Sequence, residues 1–323
     1  MTAKISLVTG ANGHLGNTLV RALLAHGHVV RAGVRRLDDE RPFEGVPCER
    51  VPLELMDAAS LCRALAGVDV LYQVAAVFRH WAPDPERDIV QTNVDGTRLV
   101  LQAAAAAGVR KVVYVSSVAA VGHDGTPLGE SRWNDETGNA YYRSKIESER
   151  AAWETAQRLG LPLVTVLPGA LVGPYAHRLT DTMKFLQTVR QGKLPLDPDF
   201  HFNFVDVRDV AEAMIAAAER GRPGERYILA NRCSASLADM LQVLGGRRPP
   251  ARAPRGLLMA LAGMQEAMAR LTGRAPELLR SQVRLFHGVR QEYDTAKATR
   301  ELGYAPRPPA EALAAGFAWL ASA

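Results

Sequence analysis

The sequence predicts an α/β protein: a doubly wound parallel sheet joined to a smaller, mostly helical C-terminal lobe. Three observations predict it. Short β-branched runs alternate with longer Ala/Leu-rich runs through the first half of the chain. A glycine-rich turn, Thr9-Gly10-Ala11-Asn12-Gly13-His14-Leu15-Gly16, stands at the first strand-to-helix junction. Beyond Pro168 the composition shifts to Pro- and Gly-rich loops, and from Arg247 to an Arg/Pro/Ala/Met-rich stretch. Strands that alternate with helices need crossovers, and right-handed crossovers give parallel pairing.

Each element follows from its local pattern. Strands are expected at 5–8, 29–34, 70–74, 111–115 and 163–167, and helices at 15–25, 60–66, 94–107 and 142–159. Gly67, Gly108 and Gly160 fall where helices should stop. Residues 204–207 and 227–229 look like a return to the sheet, and 247–288 reads as helical. The expected division is a nucleotide-binding domain of 1–170, rejoined by 203–232 and 289–323, and a substrate lobe of 171–202 and 233–288.

Composition excludes several classes. The 323 residues are 47% hydrophobic and 23% charged, an ordinary globular balance, with a formal net charge of +5. The basic residues are scattered, with Arg35-Arg36 and Arg247-Arg248 the notable pairs, so nucleic acid is not the expected partner. Cys48, Cys62 and Cys233 form no CxxC pair. Neither a metal site nor a disulfide framework is expected, and reduced thiols fit a cytoplasmic protein. No signal-peptide pattern opens the chain. The longest apolar stretch, 256–264, is interrupted by Gln265 and Glu266. A membrane span needs about 20 apolar residues, so none is expected.

The glycine turn has TGxxGxxG spacing. Gly10, Gly13 and Gly16 let the backbone turn tightly and approach a pyrophosphate, with Asn12, His14 and Leu15 alongside. The helix N-terminus then offers free N–H groups and a positive dipole end. A strand–helix turn needs a glycine or two in any case, but this one stands at the β-to-α junction that a Rossmann dinucleotide site requires. Cofactor choice is read at the end of the second strand. An acidic residue there would bind the ribose hydroxyls of NAD, whereas Arg35-Arg36 suits the extra phosphate of NADP. The competing reading makes both arginines solvated loop residues. NADP(H) is the expected cofactor, with NAD(H) the alternative. Ala75-Ala76 closes a strand with small residues, as close cofactor approach or simple packing would require.

Tyr141-Tyr142-Arg143-Ser144-Lys145 places Tyr141 and Lys145 at i and i+4, on one helix face. An ammonium beside a phenol stabilises the phenolate and lowers its pKa, so the tyrosine can exchange a proton with a substrate oxygen. A hydroxyl to hold that oxygen is expected at the end of 112–117, at Ser117, with Ser116 the alternative. Pro168, closing the next strand, would lie beside the nicotinamide. Asn93 either supports Lys145 through a water or caps a helix.

With these motifs in place, the chain resembles the extended short-chain dehydrogenase/reductases, in the dihydroflavonol-reductase-like branch. That branch includes hopanoid-associated sugar epimerases and 3β-hydroxysteroid dehydrogenases. The resemblance runs from the glycine turn through Asn93-Val94-Asp95-Gly96-Thr97, Val115-Ser116-Ser117, Tyr141 with Lys145, and 204–210 to Leu302-Gly303-Tyr304-Ala305-Pro306. Residues 77–85 look like the hopanoid-associated group. The resemblance implies a Ser117, Tyr141, Lys145 triad and an adenine contact at Glu54-Leu55, where relatives carry Asp-Leu. It also implies a homodimer through the helices at 94–107 and 142–159. Dehydratases of the superfamily carry Thr-Asp-Glu where this chain has Ser117-Val118-Ala119, so the acid and base for water elimination are missing. The expected function is NADP(H)-dependent reduction of a ketone or aldehyde, or oxidation of the alcohol. A sugar or nucleotide-sugar epimerase is the alternative, and a non-catalytic NADP-binding regulator the second. Met259, Met264 and Met268 among leucines read as helix core or as the wall of an apolar pocket. The pocket reading favours a flavonoid-, steroid- or terpenoid-like small-molecule substrate.

Overall fold

The computed structural model describes residues 4–322. Seven parallel strands form the main sheet, in the order β3 (Glu49–Pro52), β2 (Val29–Val34), β1 (Ile5–Thr9), β4 (Val70–Gln73), β5 (Lys111–Val115), β6 (Leu163–Pro168) and β9 (Arg226–Leu229). The doubly wound parallel sheet expected from the alternation is therefore present. The chain winds outward from β1 to β3, then crosses back to β4. This reversal opens a crevice at the C-terminal ends of β1 and β4, where such folds bind ligands.

The expected helices are found within a few residues. Helices α1 (His14–Ala25) and α6 (Val207–Arg220) cover one face. Leu19, Val20 and Leu23 of α1 are buried there with Val210, Met214 and Ala217 of α6. Helices α2 (Ala58–Leu65), α3 (Thr92–Ala106) and α4 (Ala140–Leu159) cover the other. Leu61, Leu65, Leu101 and Ala152 fill that side. Gly160 ends α4 in the left-handed conformation.

Four features differ from the expectations. β3 gives little signal in the sequence because it is an edge strand: it is polar, partly exposed and ends in proline. Phe204–Asp206 (β8) does not join the main sheet. It pairs in parallel with Ala170–Val172 (β7) in a separate two-stranded sheet. Helices α5 (Asp181–Arg190), α7 (Leu237–Val243) and α11 (Pro309–Ser322) pack around that small sheet through Val172, Leu186, Phe204, Met240 and Phe317. Helix α10 (Ala296–Leu302) instead packs on α6 and β9, so residues 289–323 divide between the two layers.

The fourth difference is α8 (Arg255–Thr272), which packs on α9 (Arg280–Phe286). It buries Leu258, Ala262 and Ala269 and turns Met264 and Met268 outward. Met259 is half-buried against that core, while Met264 and Met268 are exposed, Met268 at the edge of a shallow recess with Gln265 and Thr272.

Candidate active site

The glycine turn closes β1 against β4. Gly10 has φ +63°, and a Cβ there would stand 3.1 Å from the Ala75 Cα. A Cβ on Gly16 would run into the Gly10 carbonyl. Thr9 ties the two loops together. Its Oγ1 accepts the backbone N–H groups of Val74 and Ala75, each at 2.9 Å, and donates to the Gln73 Oε1 at 2.9 Å. The cap of α1 is Gly13, which has no side chain to satisfy the first N–H groups of the helix. These residues fit a dinucleotide: side-chain volume is absent where a pyrophosphate would approach, and unpaired N–H donors converge there.

His14 supplies that cradle with backbone alone. Its ring is buried and its Nε2–H donates to the Pro174 carbonyl at 2.9 Å, while burial pushes its pKa down to about 4. Leu15 is buried in the α1–α6 core, and the Asn12 amide reaches Asp39 at 3.4 Å. At the end of β2, the Arg36 guanidinium is held by Asp38 in two hydrogen bonds, at 3.0 and 2.5 Å. Arg35 is exposed and makes no ion pair among the described residues. Glu54 is exposed and Leu55 packs against Gly96, while Ala75 stands against Gly10 of the glycine turn and Ala76 follows it in the loop after β4. Pro168 ends β6, in register with Leu229 of β9.

Asn139 fixes the start of α4 by accepting the N–H groups of Tyr141 and Tyr142 at 3.1 and 3.2 Å, and its amide donates to Ser281 at 3.0 Å. Tyr141 and Lys145 follow on the buried face. The Tyr141 hydroxyl donates to the Ser117 Oγ at 3.4 Å. Ser116 is turned away, donating at 2.6 Å to the buried carboxylate of Glu149. That carboxylate also receives the Arg226 guanidinium at 2.7 Å. Of the two serines, Ser117 is the one aimed at Tyr141.

Burial pushes the Tyr141 hydroxyl up to about 12, against the opposing pull of Ser117. Lys145 is itself buried, and desolvation outweighs the field of Glu149 and pushes its pKa down to about 8. Asn93 does not cap a helix, since it lies inside α3. It clamps both backbone groups of Val77, at 2.7 and 3.0 Å, and donates to the Ser144 Oγ at 3.2 Å.

Sequence reasoning missed the aromatic surroundings. Phe78 meets Tyr141 edge-on at 4.9 Å between ring centroids, and His80 lies at 4.8 Å. Tyr142 packs with Phe200 and Phe286, with Phe202, Leu278 and Leu285 around them. Nothing in the spacing of these residues marks them, because segments distant in sequence bring them together. The signal that could have found Asn139 is an asparagine two residues before Tyr141, where a helix cap belongs.

A dinucleotide cradle, a Tyr–Lys pair and a serine at the ends of parallel strands define a nucleotide-dependent oxidoreductase. Comparison with known proteins identifies its kin. Residues 6–230 match the NAD dependent epimerase/dehydratase family. Sterol demethylase protein B of Methylococcus capsulatus is 35% identical, the match covering 97% of each chain. A putative dihydroflavonol 4-reductase of Synechocystis is 32% identical, over 97% of this chain and 93% of the relative. The crystal structure of gox2253 superposes with a TM-score of 0.85 at 34% identity, covering 99% of this chain and 98% of that one. The chain belongs to the NAD dependent epimerase/dehydratase family, within the extended short-chain dehydrogenase/reductases, and is an NAD(P)-dependent oxidoreductase.

Proposed function

We propose that this protein is an NADP(H)-dependent reductase acting on the ketone or aldehyde of an apolar small molecule. The observation that carries the proposal is the Tyr141–Ser117 contact beside Lys145. At 3.4 Å the two hydroxyls bind each other weakly, so both can turn to one substrate oxygen. A tyrosine with a pKa of about 12 holds its proton at neutral pH, which suits the acid of a reduction. When bound, the nicotinamide supplies the hydride. Tyr141 would give a proton to the carbonyl oxygen and Ser117 would hold that oxygen, while Lys145 would hold the nicotinamide ribose. Gly10, Gly13 and Gly16 with the N-terminus of α1 would hold the pyrophosphate, with Ala75 and Ala76 beside the cofactor.

Arg35, free of ion pairs among the described residues, is the residue for the NADP phosphate, and Arg36 is committed to Asp38. The substrate lobe is assigned to 171–202 and 233–288. Its apolar wall is Phe200, Phe202 and Phe286, with Tyr142 of α4, and not the methionines of α8. A flavonoid-, steroid- or terpenoid-like skeleton fits such a wall. We place the protein in the cytoplasm as a homodimer through α3 and α4.

The test follows NADPH absorbance with a panel of aldehydes and ketones. Tyr141→Phe should lower turnover about 10²–10⁴-fold while keeping NADPH binding. Tyr142 packs on His123 and Phe286, so Tyr142→Phe should remain active. An active Tyr141→Phe protein beside a dead Tyr142→Phe protein would show that the proton donor is misassigned.

A further inference from the structure

We propose that Arg178, reaching across from the substrate lobe, sets the preference for NADPH over NADH by occupying the Asp39 carboxylate beside the dinucleotide cradle. The inference rests on the NADP reading above and adds to it a residue from outside the nucleotide-binding domain. Cofactor choice lies in the loop that follows β2. A free acid there accepts the ribose hydroxyls of NAD and repels the extra phosphate of NADP. Residues 35–40 carry three acids, Asp38, Asp39 and Glu40, against the two arginines Arg35 and Arg36. Taken by itself the loop is net negative, the opposite of what a phosphate needs.

Its partners resolve the conflict. Arg36 holds Asp38 at 2.5 Å, and Arg50 holds Glu40 at 3.2 Å. Asp39 accepts from the Arg178 guanidinium at 2.7 Å and from the Asn12 amide at 3.4 Å. Each acid of the loop then has a counter-charge, which leaves the positive charge of Arg35 uncompensated among the described residues. Of the three acids, Asp39 is the one bonded to the glycine turn, through Asn12. Its side chain is 17% exposed, against 65% for Asp38 and 74% for Glu40. Arg178 is brought there by a segment anchored on α1. The His14 ring donates to the Pro174 carbonyl at 2.9 Å, and the Arg21 guanidinium lies 4.6 Å from the centre of the Tyr175 ring. Tyr175 takes φ +68°, a conformation that side chains rarely adopt, and its carbonyl accepts the His177 N–H at 3.0 Å. Arg178 is 59% exposed, and an exposed ion pair adds little stability. Its effect is on the field at the cradle: without Arg178, the Asp39 carboxylate is free to offset Arg35.

The experiment is calorimetric titration of the full-length protein with NADPH and with NADH, which needs no substrate. Arg178→Met should lower the preference for NADPH on the order of tenfold, as for one unit charge acting at short range near the protein surface. Arg178→Lys keeps the charge and should keep the preference. Adding Asp39→Asn to Arg178→Met removes the freed carboxylate and should restore it. Melting curves should be unchanged, because the Arg178 side chain is mostly exposed. A preference for NADPH that Arg178→Met leaves intact overturns this proposal and spares the NADP reading. Equal weakening of both cofactors by Arg178→Met overturns it too, by making the arginine merely structural. A lost preference that Asp39→Asn does not restore also overturns it, since Arg178 would then act on the phosphate without Asp39. Equal affinities in the unmodified protein overturn the NADP reading and this inference with it.

Discussion

Two residues one helical turn apart, Tyr141 and Lys145, are driven by the same burial toward the same neutral state. The folded pKa of Lys145, about 8, lies below the usual 10.5, so below pH 8 the folded chain holds a buried charge that the unfolded chain keeps in water. The penalty is fully present at pH 7, fades from pH 8 as the folded lysine releases its proton, and vanishes above 10.5. Lys145→Met should therefore raise stability at pH 7 by a few kcal/mol, at about 1.4 kcal/mol for each pH unit between the folded and unfolded values. The gain should shrink toward pH 10 in urea titrations, and a gain that grows with pH would contradict it. Turnover should collapse in the same variant. Arg35 carries a second prediction. NADPH should bind more tightly than NADH, and Arg35→Asp should narrow or reverse the preference. Calorimetric titration giving equal affinities for the unmodified protein would remove the phosphate role. At this scale Tyr141 and Lys145 were legible because they lie on one helix, where spacing defines a face. The choice between Ser117 and Ser116 needed the geometry, because both end the same strand and only one faces Glu149. Phe78 and His80 were not legible, since a loop places them against Tyr141.

Elements were most legible where a period was long. The 3.6-residue pattern of α1 and the alternation through β6 were apparent, whereas β3 and β8 are short and carry little pattern. The methionines of α8 stayed ambiguous because an apolar stripe in a sequence does not say what covers it: Met259 is half-buried, whereas Met264 and Met268 are exposed. In the sequence Thr9 is only the start of the glycine turn, yet in the fold it joins β1 to the loop after β4. Thr9→Val keeps the shape and β-propensity of the residue but leaves the N–H groups of Val74 and Ala75 without their acceptor. Each unpaired donor costs about 1–3 kcal/mol where water cannot replace the bond. The loop carrying Ala75 should loosen against Gly10, so Thr9→Val should lower the melting temperature and weaken dinucleotide binding together. Unchanged dinucleotide affinity would show that the loop does not depend on Thr9.

At the scale of the molecule, parallel pairing and a doubly wound sheet followed from alternation, whereas the reversal at β1 and β4 came from the structure, and assembly depends on surfaces that alternation does not describe. The inner faces of α3 and α4 are packed against each other and the sheet, through Val100, Leu101, Ala152 and Ala156. Their outer faces are polar. Asp95, Arg98 and Gln102 are exposed on α3, and Glu147, Arg150, Glu154 and Arg158 on α4. Arg98 pairs with Asp95 at 3.6 Å, and Arg143 pairs with Glu147 at 3.3 Å and with Glu86. A four-helix dimer built here would join two mixed-charge surfaces and gain less from apolar burial than obligate dimers do. Exposed charges are screened over about 8 Å at physiological ionic strength and about 3 Å at 1 M. The homodimer should therefore be salt-sensitive. Light scattering at low salt should give twice the 35.0 kDa of the chain, falling toward that mass as salt is raised. Arg150→Glu should weaken the dimer without changing dinucleotide affinity, because it lies on the outer face of α4, two turns beyond Tyr141. A strictly monomeric mass at low salt removes the dimer, and a dimer indifferent to salt and to Arg150→Glu places its interface on another face.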